Sequence, residues 1–491
     1  YSIRPIPERW MHLWAKAKPN PDIRLAHPNP YVPENLALQP SGPSVPVLIA
    51  SHDLGAAYYV RSPEFGVPDA IAHIHILSPA IHPSARSAVL VSLYIDHLTD
   101  LLHPTLAAAQ SAGLTASFDL DRSAIHLTVA GYSEKASLLL QEILAQMPQN
   151  PPTPEQFAIY FARHEKAYLN GQKELAARQA KELADSIINP EKSTKKERLS
   201  ALKSIRYEDF LEFHRQLFET TYMEALFAGN MTLKEAEAAW LDVIHALGKE
   251  PFSKDRHAKT QIIRLPDAGG PYKIAESTDV QGNAALLLID QGDFSYAKRS
   301  AQEVLAAILR EAFFNELRTK QKTGYIAQSD GLEIEERLFQ YFLVQSNSHQ
   351  PEELLFRFEQ FLEECTHALA ENISLERFET IKASLIASLK TRFRNLESKA
   401  QLWDRLAFER DGDFNFVEKR LQGLHALSYE EFLKTSAAFL SRDNKKRLAI
   451  LVEGKLSHPF AYTQIGVPQI EEIATYASRP EKALVPDHKN F

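Results

Sequence analysis

Arg318 and Tyr325 stand in the segment Glu311 to Ile326, EAFFNELRTKQKTGYI, where a guanidinium and a phenol could act together. Both groups can donate to a peptide carbonyl or to an oxyanion. Phe313, Phe314 and Leu317 continue a helical apolar period that starts at Val304 and Ile308. Lys320 and Lys322 fall in the last turn, where cations favour the negative end of the helix dipole. Gly324 is expected to take the left-handed stop conformation, with Tyr325 emerging directly after it. The spacing puts Arg318 and Tyr325 around one helix C-terminus, roughly 10 Å apart along the chain at 1.5 Å per residue. The competing reading is a surface arginine beside a packed tyrosine.

Other reactive patterns are weaker. None of the 18 histidines begins H-E-x-x-H or H-x-x-E-H, the spacings that put two imidazoles and a carboxylate on one helix face. His97 and His103 are six residues apart, which at 3.6 residues per turn leaves them on different faces of their helix. His73 and His75 share one strand face and could chelate, but no third histidine or carboxylate lies close in sequence. They are read as packing residues, and no metal site is expected from this chain's own residues. Nucleophile elbows, phosphate loops and dinucleotide fingerprints are missing, and 18 glycines in 491 residues argue against nucleotide-cradling loops. His164-Glu165 is read as a solvent-exposed pair. The single cysteine, Cys365, lies in FEQFLEECTHAL without a basic partner in sequence, which argues against a thiol nucleophile and removes internal disulfides.

A chain of 491 residues exceeds a single hydrophobic core, so two or more domains are expected. With 44% hydrophobic and 24% charged residues the composition is that of a folded globular chain, not a disordered or low-complexity one. No apolar run approaches the roughly 20 residues needed to cross a bilayer. The chain opens on Tyr1 without a leader-type segment. A net charge of −8 gives no clustered basic face for nucleic acid; Lys192, Lys195, Lys196 and Arg198 are interleaved with Glu191 and Glu197 and read as a solvated helix face. The compartment is left open between cytosol and periplasm, as are substrate identity and oligomeric state.

Ten of the 28 prolines fall within the first 46 residues, so residues 1–43 read as an extended arm along a globular body, with Trp10 and Trp14 on a short helical turn that docks there. After it, alternating strands are predicted at Ala72 to Leu77 and Ala124 to Val129, and a long helix between Ala88 and Leu106. Thr153-Pro154-Glu155-Gln156 carries a capping box with proline at the first helical position. Ala225 to Asn230 reads as a strand ending in a turn, and Thr232 with Glu235 caps the helix behind it.

The same order recurs. Gly113-Leu114 corresponds to Gly324-Tyr325, Thr153 to Phe157 corresponds to Ser374 to Phe378, Tyr207 to Leu211 corresponds to Tyr429 to Leu433, and Gly229 corresponds to Gly454. The offsets drift slowly from 211 to 225, as in a duplication with loop insertions. The sequence is therefore read as two homologous α+β units, residues 44–250 and 263–491, joined by a polar linker at 251–262. Each is expected to be an antiparallel sheet covered by helices.

Leu317-Arg318-Thr319, followed by Gly324-Tyr325, resembles the LRT-x-x-x-x-GY segment of the pitrilysin/insulinase (inverzincin) family of zinc peptidases. The arm Pro28 to Glu34, the strand ending in Ser78-Pro79, the turn Ala228 to Thr232 and Tyr429 to Phe432 extend the likeness over nearly the whole chain. It is to the C-terminal half of the long, insulin-degrading-enzyme-like members. The resemblance implies α/β-roll units forming one bowl-shaped half of a closed chamber. Zinc and the general-base glutamate would come from a separate N-terminal half, the expected partner, and peptides would be the substrates. By resemblance Arg318 and Tyr325 anchor the peptide and stabilise charge on the scissile carbonyl, as auxiliary catalytic groups, and Phe314 contacts substrate near the cleaved bond. In the first copy Ala107 and Leu114 occupy the positions of Arg318 and Tyr325, so that copy could not share the task. The chain alone would then be inactive. The alternative is a peptidase-derived scaffold that binds peptides or partners without cleaving them.

Overall fold

The computed structural model describes residues 5–18, 28–40, 42–189, 191–257, 262–266, 269–367 and 369–456. The first part runs α1 (Glu8–Lys16), β1 (Val47–His52), β2 (Gly55–Val60), β3 (Asp69–Leu77), α2 (Ala85–Ser111), β4 (Leu114–Asp121) and β5 (Ala124–Tyr132). It continues with α3 (Ser133–Gln146), α4 (Pro154–Gly171), α5 (Ala176–Ile188), α6 (Lys195–Lys203), α7 (Tyr207–Leu217), β6 (Thr220–Gly229), α8 (Leu233–Leu247) and β7 (Glu250–Pro251). The second part runs β8 (Tyr272–Gln281), β9 (Asn283–Asp293), α9 (Tyr296–Phe313), a π-helical segment (Phe314–Lys320), β10 (Ile326–Ile334) and β11 (Arg337–Ser346). Then come α10 (Pro351–His367), α11 (Leu369–Asn372), α12 (Leu375–Lys390), α13 (Leu396–Glu409), α14 (Phe416–Ala426), α15 (Tyr429–Leu440) and β12 (Arg447–Lys455).

The strands form two sheets, ordered β1-β2-β6-β3-β5-β4, with β7 beside β6, and β8-β12-β9-β11-β10. From β2 to β4 and from β8 to β10 the succession is the same, so the fold is α+β with one topology used twice. The expected antiparallel pairing holds for most neighbours; the two-residue β7 runs parallel to β6, and β2–β6 and β8–β12 are parallel. Those pairs join a strand at the start of each sheet to one that returns only after the helical layer, a connection long enough for a parallel neighbour.

Helix ends follow their capping chemistry. Gln156 N–H donates to Thr153 Oγ1 (3.3 Å) and Thr153 N–H to Gln156 Oε1 (2.9 Å), and Thr232 with Glu235 repeats the reciprocal pair on α8. Each sheet buries one face under its own helices: Ile74, Ile76 and Leu127 pack with Val89, Leu93 and Phe210, and Leu287 and Phe342 with Val304, Phe313 and Phe432.

The opposite faces are closed by exchange. Ala176, Ala177, Ala180, Ala184 and Ile188 of α5 lie on Leu286, Leu288, Leu343, Leu448 and Ile450 of the second sheet. Leu396, Ala400 and Trp403 of α13 lie on Val60, Ile71, Leu226 and Ala228 of the first. Each part thus lends one helix to the other's sheet, which ties the two together through apolar burial.

The proline-rich arm splits in behaviour. Residues 28–40 follow the body: the Tyr31 ring is buried and its hydroxyl donates to Glu142 (2.5 Å), while Asn29 Nδ2 donates to the Ala108 carbonyl (2.7 Å). The docking expected of Trp10 and Trp14 is not found. They lie 6.5 Å apart on α1, which has no buried residue, and are 45% and 57% exposed. The helix is amphipathic, but none of the described residues covers its apolar side. No helix among the described residues is long and apolar enough to cross a membrane.

Candidate functional site

The end of α9 does not stop at a glycine. Beyond Phe313 the chain widens into π-helical turns, with Gln321 N–H donating to the Glu316 carbonyl (2.9 Å). The Thr323 N–H and hydroxyl both donate to the Leu317 carbonyl, at 2.9 and 2.8 Å, closing the last turn. The left-handed residue is Lys322, at φ 53°, not Gly324 as the spacing suggested. Gly324 serves close approach instead: a Cβ there would lie 1.8 Å from the Gln345 carbonyl oxygen of β11. In the first part the glycine does take the left-handed position, Gly113 at φ 84°.

This ending brings Arg318 and Tyr325 closer than a straight helix would. The Arg318 guanidinium carbon lies 4.8 Å from the Phe314 ring centre and 4.5 Å from that of Tyr325. All three predicted residues therefore form one stack, with the cation held by the negative faces of two rings. Leu317 and Phe313 anchor it from below, both fully buried, and Phe313 meets Phe342, Phe358 and Phe361 edge-on at 5.2 to 5.4 Å. Tyr325 is 81% exposed. Among the described residues neither the Arg318 guanidinium nor the Tyr325 hydroxyl has a hydrogen bond or ion pair, so their donors are free for an external acceptor. The alternative of a packed tyrosine does not hold. At the matching end of α2, Leu114 is fully buried and Ala107 offers only a methyl group.

A second polar group was only half legible in the sequence. His73 and His75 lie on the face of β3 turned toward α13, His126 sits directly opposite His75 on β5, and Glu224 opposite it on β6. His75 Nε2 lies 2.8 Å from Asp404 Oδ2 of α13, 329 residues away, and the His75 and His126 rings stack at 4.2 Å. His73 Nδ1 lies 3.2 Å from His126 Nε2 and 3.1 Å from Thr128 Oγ1. Arg122 approaches His75 Nε2 at 3.5 Å while paired with Asp121 (3.3 Å) and Glu409 (3.4 Å). Burial, followed by the neighbouring His75, pushes the His126 imidazole down to about 4. Burial raises the Asp404 carboxyl, but the adjoining His75 outweighs it and leaves that group at about 2. The Glu409 carboxyl is pushed by burial up to about 7 despite Arg122. His73 and His75, expected to be packing residues because no third ligand lies near them in sequence, thus have His126 and Asp404 beside them in space. His126 was within reach of a strand-pairing argument; Asp404 was not.

The remaining candidates are inert. Cys365 packs against the core with its thiol pushed by burial up to about 12. His97 is buried with Nε2 2.9 Å from the Asn150 carbonyl oxygen, so α2 offers no imidazole pair to a metal. His164 is not solvent-exposed as expected but half-buried, 3.4 Å from Asp96.

Residues 1–201 match the protein-family model described as the middle or third domain of peptidase M16, and residues 304–403 match that of the C-terminal lobe domain 4 of PQQ synthase PqqF-like proteins. The chain is 25% identical over 474 residues to insulin-degrading enzyme-like 1, peroxisomal, of Arabidopsis thaliana, covering 92% of this chain and 48% of the relative. It is 25% identical over 465 residues to the human insulin-degrading enzyme, covering 92% and 45%. The fold is similar to the crystal structure of pitrilysin, with a TM-score of 0.77 at 20% identity over 92% of this chain and 49% of that one. A peptidase M16 inactive domain from Pseudomonas fluorescens matches with a TM-score of 0.63 at 12% identity, over 84% of this chain and 99% of that one. The chain spans about half the length of the curated relatives it matches. Two family domains in succession, with the sheet order repeated beneath them, show that the chain belongs to the peptidase M16 (pitrilysin/insulinase) family and corresponds to the C-terminal half of an insulinase-type member.

Proposed function

We propose that this chain is the non-catalytic half of a zinc metalloendopeptidase, enclosing peptides together with an N-terminal half. In this reading Arg318, Tyr325 and Phe314 form the wall that meets the substrate. The observation that carries it is the exposed stack, in which a guanidinium between two rings and a free phenol are presented without internal partners.

The zinc ion would be held by the other half and would supply an activated water for hydrolysis. This chain's residues do the rest by position. Phe314 and the Tyr325 ring hold the guanidinium plane, so its N–H edges need little reorganisation to receive a peptide carbonyl. The Tyr325 hydroxyl donates to the oxygen that gains charge as the carbonyl is attacked, a contact stronger in the transition state than in the ground state. The closed π-helical ending and the tight Gly324 backbone keep both groups on a rigid support.

Reconstitution tests the proposal. The purified chain is expected to leave peptide substrates intact, and to support their hydrolysis once the N-terminal half is added. A mixture in which this chain adds nothing to the N-terminal half would favour the scaffold reading.

A further inference from the structure

We propose that His75, His126 and Asp404 form a binding site for a divalent transition-metal ion of the zinc class, which clasps the first sheet to α13.

One ligand-capable atom from each residue lies within 4.8 Å of the others. Zinc binds imidazole nitrogen and carboxylate oxygen at about 2.0–2.2 Å, so ligands around a tetrahedral ion stand about 3.4 Å apart. A separation as wide as 4.8 Å must close by about 1.4 Å, a distance that side-chain rotations span. Two imidazoles and one carboxylate are a three-ligand set of this metal class, with a position left open. Glu224 pairs with His75 across the strands on the same face, outside the three-residue group. His73 orients the His126 ring through the 3.2 Å contact between their nitrogens, the supporting role that outer groups play around metal-bound histidines.

Two independent features favour an occupant. The cluster is buried apart from the half-buried His126, and it is incompletely satisfied: the His75 side chain is 2% exposed and that of Asp404 9%, and His75 Nδ1, Asp404 Oδ1 and His73 Nε2 lack hydrogen-bond partners. Unpaired buried polar atoms are costly, and each needs a reason. The fold does not require them either. The equivalent seal, α5 on the second sheet, is closed mainly by apolar side chains, Phe339 and Val452 beside the alanines, leucines and isoleucines, with no histidine in it. Apolar closure is the cheaper solution, so the polar one calls for something it holds.

Arg122 is the competing cation. Its guanidinium stands 3.5 Å from His75 Nε2, but it is also paired with Asp121 and Glu409, which can keep it as an ion enters. If Arg122 is the only cation the cluster holds, no metal will bind.

The test uses the whole chain, stripped with chelator and titrated with Co²⁺. We expect one equivalent bound, with the visible ligand-field bands of a low-coordinate nitrogen–oxygen site, displacement by Zn²⁺, and a rise in the thermal midpoint on loading. H126A and D404N should each weaken binding at least tenfold, and R122Q should bind no more weakly than the wild type. Wild-type protein that takes up no cobalt overturns the proposal whatever the variants do. So does binding that H126A and D404N leave unchanged, which would place the ion on surface histidines.

Discussion

The two seals between the halves of the fold use the same topology and share an apolar base, but only one of them adds a buried polar row. On the second sheet α5 presents alanines to leucines and isoleucine. On the first sheet α13 presents Leu396, Ala400 and Trp403, and then Asp404 to a row of histidines. The helix ends show the same divergence, with Tyr325 exposed over a half-buried Arg318 on one copy and Leu114 buried on the other. One backbone plan thus accommodates either filling. The buried histidines make the same point. Among the described residues His73, His75, His97 and His214 are the buried ones, and all lie in the first part.

The contrast can be broken most strongly at the apolar seal. Ala180 is fully buried against the second sheet, so Ala180→Asp leaves an uncompensated charge and should cost on the order of 3–5 kcal/mol in denaturant unfolding. A cost near zero would mean that α5 does not hold the sheet. Gly324→Ala should cost about 1–3 kcal/mol, because the new methyl meets the β11 backbone and overpacked sites pay in that range. It should also disturb the Arg318–Tyr325 stack, which a change in Tyr325 fluorescence would report. Thr232→Ala removes one reciprocal cap and should cost about 1 kcal/mol, sensed by hydrogen exchange in α8.

Acid should separate the two parts. Burial, and then the nearby His97, push the His214 imidazole down to about 4 from its ordinary 6.5. The unfolded chain therefore takes up more protons between those values, and the contribution is complete above pH 6.5 and lost as pH falls toward 4. Hydrogen exchange across that window should show α2 and α7 losing protection before α9 and α15. Uniform loss across both parts would remove this asymmetry.

Much of the architecture was legible because it is local. Alternation in β3 and β5, the capping boxes of α4 and α8, and the ordered recurrence of Gly113, Tyr207 and Gly229 later in the chain rest on periodicity and short-range bonding. The stack at Arg318 was half legible. Residue types and a helix end were visible, but the π-helical widening and the left-handed Lys322 depend on how β10 and β11 close on that end. The exchange of α5 and α13 was not legible, since a helix pattern does not say which sheet it covers. For the same reason Asp404 could not be joined to His75. The undocked α1 shows the reverse case, a sequence with apolar tryptophans whose described surroundings give them nothing to pack on.

In the proposed function Tyr325 lends a proton donor to a reaction on the facing half. Turnover of Tyr325→Phe in the complete two-half enzyme, measured beside its thermal midpoint, tests this most directly. This role of Tyr325 predicts a loss of about 10²–10³ in kcat with the midpoint unchanged, the size expected when one oxyanion donor is removed. Wild-type turnover, or a loss that merely follows a lowered midpoint, would contradict it.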